Sequence, residues 1–229
     1  MLLYNAGKYY GSPQEYRGAI MSCDKIITIT RQYGSGGHDI GKLLSERLGI
    51  PFYDKELISL AAKKSGVSPE VFAQADERMS NSLLYTLSTG LYNYGNGFSA
   101  MGDLPMNDRL YILQHKIIKE KAEKETFVVV GRCADYILKE FDNVVKVFIY
   151  ADLEVRAKRA VERRGIEPSR ARQAVSKADK NRANYYSFYS GQKWGAAENY
   201  DLCINSTRLT VQQAADLIIE YINILDKGS

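Results

Sequence analysis

Three glycines within four positions mark the part of the sequence best suited to binding an anion. Residues 31–37 read Arg-Gln-Tyr-Gly-Ser-Gly-Gly and follow a β-branched run at 26–30, which predicts a buried strand. Apolar residues at 40, 43, 44 and 48 predict a helix directly afterwards. Glycines let backbone N–H groups approach an anion closely, and a helix N-terminus adds partial positive charge. This glycine loop (residues 32–36) is therefore predicted to bind phosphate, with a purely structural turn as the alternative.

The residues expected to surround that anion are Arg31, Gly34, Ser35, Gly36, Gly37, His38 and Asp39. They depart from the phosphate-loop pattern G-x-x-x-x-G-K-[ST] in three places. When the pattern is aligned on Gly36, Arg31 stands at the first glycine, Gly37 at the lysine and His38 at the hydroxyl residue. Arg31, His38 or Lys42 could replace part of the missing lysine. Arg31 is the preferred candidate because it leaves the strand close to the loop.

The composition is that of an ordinary globular protein, with 45% hydrophobic and 25% charged residues. No apolar run is long enough to cross a bilayer, and the opening residues lack the core of a signal peptide. We therefore expect a cytoplasmic protein that makes no membrane contact, with residues 1–24 as a poorly ordered tail. Three scattered cysteines and two histidines form no metal-binding pattern, so no protein metal ligands are predicted.

Further strands are predicted where apolar runs end in residues able to do chemistry. A short run ends at Asp54, a second at 126–131 precedes Arg132, a third at 144–151 precedes Asp152, and the last covers 200–205. Apolar strands alternating with helices predict a parallel sheet covered on both faces. Because ligands of such sheets bind at the carboxyl ends of the strands, these side chains should lie with the glycine loop around one site.

A basic segment follows the fourth strand, with ten cationic and three acidic residues between Arg156 and Arg182. Solvated helices explain most of these charges. Arginines that bind polyphosphate are the sharper interpretation, because the guanidinium fork matches phosphate oxygens. Arg156, Arg159 and Arg163 recur at i, i+3 and i+7 and so share one helical face. We predict that this face and Arg182 neutralise charge in phosphoryl transfer.

Two segments leave alternatives open. Residues 80–107 are rich in Ser, Asn, Gly, Tyr and Leu and carry one charge, Asp103. They could form a flap, a buried insertion or a subunit contact, and a homodimer through them is one possibility. The aromatic stretch at 184–195 is expected to pack mostly against the sheet, although one tyrosine or Trp194 could stack on a base.

Taken together, these stretches resemble the cytidylate kinase-like family of P-loop proteins. The resemblance rests on residues 28–37, 51–57, 130–132, 179–182 with the tyrosines at 185 and 186, 194–195 and 199–202. It runs from about residue 25 to the C-terminus. It implies a P-loop NTPase-like three-layer α/β/α fold with a five-stranded parallel sheet in a single domain at 25–229. It also implies a helical acceptor insertion at about 55–124 and an arginine-bearing helical lid at about 156–195.

The resemblance also implies roles for particular residues, with ATP as the phosphate donor and Mg²⁺ as its metal. Gly131 and Arg132 match the Gly-Arg that helps to hold the acceptor nucleotide in cytidylate kinases. Asp179 and Arg182 match the lid pattern D-x-x-R, and Arg156 matches the arginine early in the helix after the fourth strand. The expected catalytic residues are therefore Arg132, Arg156 and Arg182, with Asp54 and Asp179 also contacting the acceptor.

This sequence departs from cytidylate kinases on the acceptor side. Cys133 stands where they have an aspartate that contributes to base recognition. Asp54 matches the start of their D-T-G-x-x-Y-R motif, but the arginine position falls at Leu60; Arg78 could substitute.

Two hypotheses of function follow. The first is an ATP-dependent phosphotransferase acting on a nucleoside monophosphate or similar small acceptor. The second is a non-catalytic nucleotide-binding protein that kept the fold after losing the lysine. Nucleic-acid binding comes third, because it leaves the glycine loop unexplained, and the net charge of +4 argues little for it.

Overall fold

The computed structural model describes residues 24–54 and 106–227. The strands are β1 Ile26–Arg31, β2 Phe52–Tyr53, β3 Val128–Val130, β4 Val144–Tyr150 and β5 Leu202–Asn205. The α-helices are α1 Gly37–Leu48, α2 Met106–Ala122, α3 Ala134–Ile137, α4 Leu153–Arg164, α5 Pro168–Ser190 and α6 Val211–Lys227. A short 3₁₀ helix, Ala197–Asn199, precedes β5.

All strand pairs are parallel, and the strands lie in the order β2-β3-β1-β4-β5. β1 is central, with Ile27 opposite Val128 on one side and Val145 on the other. The chain therefore reverses its direction of winding at β1, which is where ligands bind in sheets of this kind. The predicted five-stranded parallel α/β sheet is confirmed.

Successive residues of β1 face opposite sides of the sheet and enter two different cores. Ile27 and Ile29 pack with Leu44 of α1 and Ile218 of α6. Ile26 packs on the other face with residues that include Leu110, Leu113 and Ile117 of α2. Because each face of the sheet buries a hydrophobic layer, helices cover both sides, as the near-continuous apolar strands predict.

The predicted subdivision of the chain falls partly outside the described residues. These exclude most of the predicted tail, residues 55–105 of the predicted insertion and nearly all of the 80–107 segment, so the proposed subunit contact stays a prediction. α2 lies within the predicted insertion, and α4 with α5 occupies most of the predicted lid. Among residues 24–54 and 106–227, no helix is long and apolar enough to span a membrane.

Candidate active site

The carboxyl ends of the parallel strands meet at one edge of the sheet. β1 leads into the glycine loop, β2 ends before Asp54, and β3 leads into Gly131 and Arg132. On the other side of β1, β4 ends before Ala151 and β5 before Ser206. Since the strand order places β1 between β3 and β4, the glycine loop lies at the centre of this edge.

Two glycines give the glycine loop its shape. Gly34 has φ +76°, and a Cβ there would lie 2.7 Å from the backbone oxygen of Arg156, so only glycine fits against α4. Gly36 has φ +86° and directly precedes α1, but a Cβ there would meet nothing closer than Ile40 Cδ1 at 4.0 Å. The loop is therefore closed towards α4 and open at the N-terminus of α1, where backbone N–H groups favour an anion.

Arg156 and Asp179 clamp the peptide groups of Tyr33 in the glycine loop. Asp179 Oδ1 accepts a hydrogen bond from Tyr33 N at 2.7 Å, and Arg156 Nη1 donates to Tyr33 O at 3.2 Å. Arg156 Nη1 also pairs with Asp179 Oδ2 at 2.5 Å, and Arg156 Nε donates to Ala151 O at 2.8 Å. Arg156 is only 6% exposed. These two side chains therefore position the loop, and a direct role for either towards an acceptor remains a prediction.

Arg182 supports the same loop from α5. Its Nη1 donates to Arg31 O at 3.0 Å, and its guanidinium lies 5.5 Å from the centroid of the Tyr33 ring. Burial lowers the pKa of Arg182 from its ordinary value, while nearby Asp179 opposes that shift. A guanidinium keeps its charge at neutral pH, so Arg182 brings a fixed positive charge to the base of the glycine loop.

Arg159 and Arg163 extend the arginine face of α4 towards β5. Arg159 Nη2 donates to Ser206 O at 2.9 Å, and its Nη1 lies 3.4 Å from Ser35 O. Burial lowers the pKa of Arg159, and the nearby charge of Arg163 lowers it further. Arg163 forms an ion pair with Asp39 in the first turn of α1. This pairing offsets a carboxylate that would otherwise repel an anion at the start of that helix.

A cavity of about 450 Å³ opens beside these groups. It is lined by Ser35, Gly36, Ile40, Arg159, Arg163, Ser206, Leu209, Thr210, Val211 and Gln212. Ser206, which sequence reasoning missed, is 2% exposed, and its Oγ donates to Ser35 O at 2.7 Å. The small polar residues after the fifth predicted strand were the available signal. The cavity joins the glycine loop to the start of α6 and combines apolar walls with fixed positive charge.

His38 faces the β2 side of the glycine loop. Its Nε2 lies 3.4 Å from Asp54 Oδ2 and its Nδ1 lies 3.4 Å from Asp39 Oδ1. Its ring meets Phe52 edge to face, with centroids 5.4 Å apart. Within residues 24–54 and 106–227, no group of three or more histidine, cysteine, aspartate or glutamate side chains is arranged to hold a metal ion.

The turn after β3 holds three successive residues at positive φ: Gly131 at 76°, Arg132 at 63° and Cys133 at 55°. Positive φ is uncommon for residues other than glycine, and such strain is concentrated at functional sites. Cys133 is 3% exposed, and burial raises the pKa of its thiol well above the ordinary value, so it is a neutral group within the protein. It therefore supplies no carboxylate for base recognition.

Asp135, in the helix α3 that follows this turn, holds the turn in place and was missed by sequence reasoning. It is 3% exposed and accepts hydrogen bonds from Thr30 Oγ1 at 3.2 Å and Tyr186 OH at 2.7 Å. Burial raises its pKa above the ordinary aspartate value, although those hydrogen bonds act in the opposite direction. Asp135 thereby links β1, the turn after β3 and α5.

Replacing Asp135 with asparagine is expected to remove a pH dependence of stability. A carboxyl whose pKa is higher in the folded state keeps its proton longer when folded. As pH rises from the ordinary aspartate pKa through the raised native one, the folded state loses stability by up to about 1.4 kcal/mol per pH unit. Asp135→Asn does not titrate there, so its free energy of unfolding should improve relative to the wild type as pH rises. Urea unfolding from acidic to neutral pH measures this; a constant difference would contradict it.

The structure brings most of the predicted site residues together. Arg156, Arg159, Arg182 and Asp179 contact residues 31–35, while His38, Asp39 and Asp54 form a neighbouring group. Arg78 lies outside the described residues. In the aromatic stretch, Trp194 packs edge to face on Phe148, with ring centroids 5.5 Å apart, and Tyr186 is buried. The expected packing against the sheet is therefore observed for Trp194, whereas Tyr185 and Tyr189 pack against Tyr111 of α2.

A glycine loop on the central strand of a parallel sheet, with arginines from the following helices around it, defines a fold of the P-loop kinase type. Residues 26–208 match the model of the cytidylate kinase-like family, and the chain belongs to this family. The resemblance predicted from the sequence is thereby confirmed.

Relatives and solved structures agree with this assignment. The cytidylate kinase of Archaeoglobus fulgidus is 29% identical over 203 residues, which cover 86% of this chain and 94% of that protein. The cytidylate kinase of Methanosarcina barkeri is 27% identical over 202 residues, covering 87% and 97%. An uncharacterized protein from Eubacterium ventriosum superposes with a TM-score of 0.64 at 33% identity, over 87% of this chain and 98% of that one.

A more distant structure supports the fold alone. A gluconokinase from Sinorhizobium meliloti superposes with a TM-score of 0.51 at 17% identity, over 90% of this chain and 98% of its own. This similarity concerns the fold, and the fold by itself does not identify what the chain binds.

Proposed function

We propose that this protein is an ATP-dependent phosphotransferase that transfers the γ-phosphate to a nucleoside monophosphate or a similar small phosphorylated acceptor. The observation that carries the proposal is the cavity of about 450 Å³ that opens from the glycine loop beside Arg159 and Arg163. Its size suits a nucleoside, and its inner end meets the open N-terminus of α1.

On the donor side, the nucleoside would lie between Arg159 and the start of α6, with Leu209 as an apolar wall. Its phosphates would run along the glycine loop, where backbone N–H groups and the helix N-terminus favour negative charge. Arg156 and Asp179 hold Tyr33 and thereby keep those backbone groups in place. Such preorganised groups stabilise a phosphoryl-transfer transition state without covalent chemistry by the protein.

Magnesium would accompany the donor. Mg²⁺ is usually held by one or two carboxylates, water and substrate phosphates, and imidazole is a poor ligand for it. Asp54 lies at the carboxyl end of β2 and is 8% exposed, with His38 Nε2 3.4 Å from its Oδ2. The donor set fits magnesium, and we propose Asp54 as the protein group that holds it. When bound, the ion neutralises charge on the phosphoryl oxygens.

On the acceptor side, the ends of β2 and β3 present Asp54 and the strained turn at Arg132. Arginine is suited to a phosphate oxygen pair, so Arg132 is the proposed group for the acceptor phosphate. Because Cys133 is a buried neutral thiol, the described part of this turn offers no carboxylate for a cytosine amino group. We therefore propose no preference for CMP over other monophosphates from this turn.

The alternative is a nucleotide-binding protein without transfer activity. Gly37 favours it, because the residue that normally provides the lysine has no side chain here. Such a protein would bind ATP with the same loop and cavity but turn over no acceptor.

The deciding experiment measures ADP release by the full-length protein with Mg-ATP and a panel of nucleoside monophosphates. We expect turnover on at least one acceptor, reduced at least about 100-fold in Arg132→Ala because the acceptor phosphate then loses the group that orients it for transfer. Arg47→Ala is the matched control, because Arg47 lies in the last turn of α1 and pairs with Asp216 at the surface. ATP binding without turnover on any acceptor would favour the alternative. No ATP binding at all would overturn both.

A further inference from the structure

The side chain of Arg31 leaves room only for glycine at two positions on opposite sides of the site. A Cβ on Gly37, the first residue of α1, would lie 2.7 Å from Arg31 Cβ and 3.0 Å from Arg31 Cγ. A Cβ on Gly131, in the turn after β3, would overlap Arg31 Nη1 and lie 3.2 Å from Arg31 Cζ. The aliphatic part of Arg31 therefore covers Gly37, and its guanidinium reaches Gly131.

This arrangement explains why glycine, and not lysine, stands at position 37. Cβ atoms closer than about 3 Å to another carbon force a shift, so a lysine at 37 and an arginine at 31 compete for the same space. The first position of the phosphate-loop pattern is normally glycine, which leaves room for the lysine. In this chain the cationic residue, Arg31, stands at the glycine position of the pattern, and Gly37 stands at its lysine position.

The guanidinium of Arg31 lies beside Gly131, between the proposed donor and acceptor sides of the site. β1 and β3 are neighbours, and Gly131 N donates to Ile29 O at 2.9 Å, which fixes the turn beside the end of β1. The backbone of Arg31 is held in turn by Arg182 through its carbonyl oxygen. The side chain thus runs from the glycine loop to the Gly131–Arg132 turn and carries a permanent charge between them.

We propose that Arg31 replaces the missing lysine and binds oxygens of the β- and γ-phosphates of the donor while the γ-phosphoryl group passes to the acceptor and ADP is released. The inference rests on the proposed function, which it deepens by naming a catalytic residue. His38 is a weaker candidate, because both of its ring nitrogens face carboxylates. Lys42 is exposed one turn further along α1.

The test uses four variants of the full-length protein. Arg31→Met removes the charge and keeps most of the stem over Gly37, while Arg31→Gly with Gly37→Lys restores the ordinary pattern. Gly37→Lys alone and Arg47→Ala complete the set. The dissociation constants for tripolyphosphate and for Mg-ATP are measured by calorimetry, the melting temperature by circular dichroism, and turnover on the best acceptor of the panel.

We expect Arg31→Met to weaken tripolyphosphate binding at least about tenfold, since a charge-assisted hydrogen bond contributes about that much. Its turnover should fall by about 100- to 1,000-fold, as for other lost charge-stabilising donors. Gly37→Lys alone should melt at a lower temperature because of the overlap with Arg31. The double exchange should regain both the melting temperature and tripolyphosphate affinity relative to Gly37→Lys, and Arg47→Ala should behave as the wild type.

Tripolyphosphate affinity separates this inference from the proposed function. If the wild type binds tripolyphosphate but turns over no acceptor, tighter binding by the wild type than by Arg31→Met still supports the role of Arg31. Equal affinity in Arg31→Met and wild type would overturn it, even if the wild type is an active kinase. A folded double exchange that binds no better than Gly37→Lys alone would also overturn it.

Discussion

Replacing Arg156 with methionine is expected to lower the free energy of unfolding by about 3–5 kcal/mol, the usual cost of removing one partner of a buried ion pair. The Arg156 and Asp179 side chains are only 7% and 14% exposed. Without Arg156, the carboxylate of Asp179 stays inside the protein facing Tyr33 N, and the carbonyls of Ala151 and Tyr33 lose their donor. Urea unfolding at neutral pH measures the loss.

A double-mutant cycle isolates the ion pair from the other contacts. Asp179→Asn and the combined variant with Arg156→Met complete the cycle, and the coupling energy should exceed 1 kcal/mol, roughly the upper limit for exposed pairs. Arg172 and Glu154 provide the matched control on the same two helices, because both are 68% exposed and their atoms lie 2.8 Å apart. A coupling energy for Arg156 and Asp179 no larger than that of the control pair would show that the buried position of this ion pair adds nothing to its strength.

The second large effect concerns catalysis under the proposed function. Replacing Arg182 with alanine is expected to lower kcat by about 1,000-fold, the lower end of the range for arginines that stabilise phosphoryl transfer. Arg182 brings its charge to the carbonyl of Arg31, at the start of the glycine loop. A group that acts mainly in the transition state changes kcat more than donor affinity, so the dissociation constant for Mg-ATP should change by less than about tenfold.

Two further variants separate charge from structure at this position. Arg182→Lys keeps the positive charge but not the guanidinium fork, and it should recover part of the kcat lost in Arg182→Ala. If the role of Arg182 is purely structural, Arg182→Ala should instead melt at a lower temperature than the wild type. Arg170→Ala changes an exposed arginine in the first turn of the same helix and should leave kcat unchanged. A drop in kcat for Arg182→Ala that matches its loss of folded protein would argue against direct stabilisation of transfer.

The clamp and Arg182 make the conformation of the glycine loop depend on α4 and α5. Tyr33 gives its N–H to Asp179 on α5 and its carbonyl to Arg156 on α4, while the carbonyl of Arg31 accepts from Arg182. Movement of these helices would therefore change the backbone groups that are proposed to bind phosphate. These hydrogen bonds therefore connect the predicted lid directly to the proposed donor site.

The sequence by itself determined the features that depend on neighbouring residues. The β-branched run, the glycines and the apolar period at 40, 44 and 48 are local signals, and they predicted β1, the glycine loop and α1 in order. Alternation of strands and helices predicted the parallel sheet, since strand direction follows from crossover connections. The i, i+3, i+7 spacing predicted that Arg156, Arg159 and Arg163 share one face of a helix. In the structure this face contacts the glycine loop and Asp39 of α1.

Only the tertiary structure decided what those residues contact. Tyr33 and Asp179 are 146 positions apart, and Ser35 and Ser206 are 171 apart, so no local pattern could pair them. Asp135 lacks a local signature because its partners, Thr30 and Tyr186, come from other elements. The need for glycine at position 37 when arginine stands at position 31 is likewise a steric effect. It depends on how closely β1 approaches the first residue of α1. Spacing along the chain predicts which residues share a face, but contacts between elements depend on packing, which brings distant residues together.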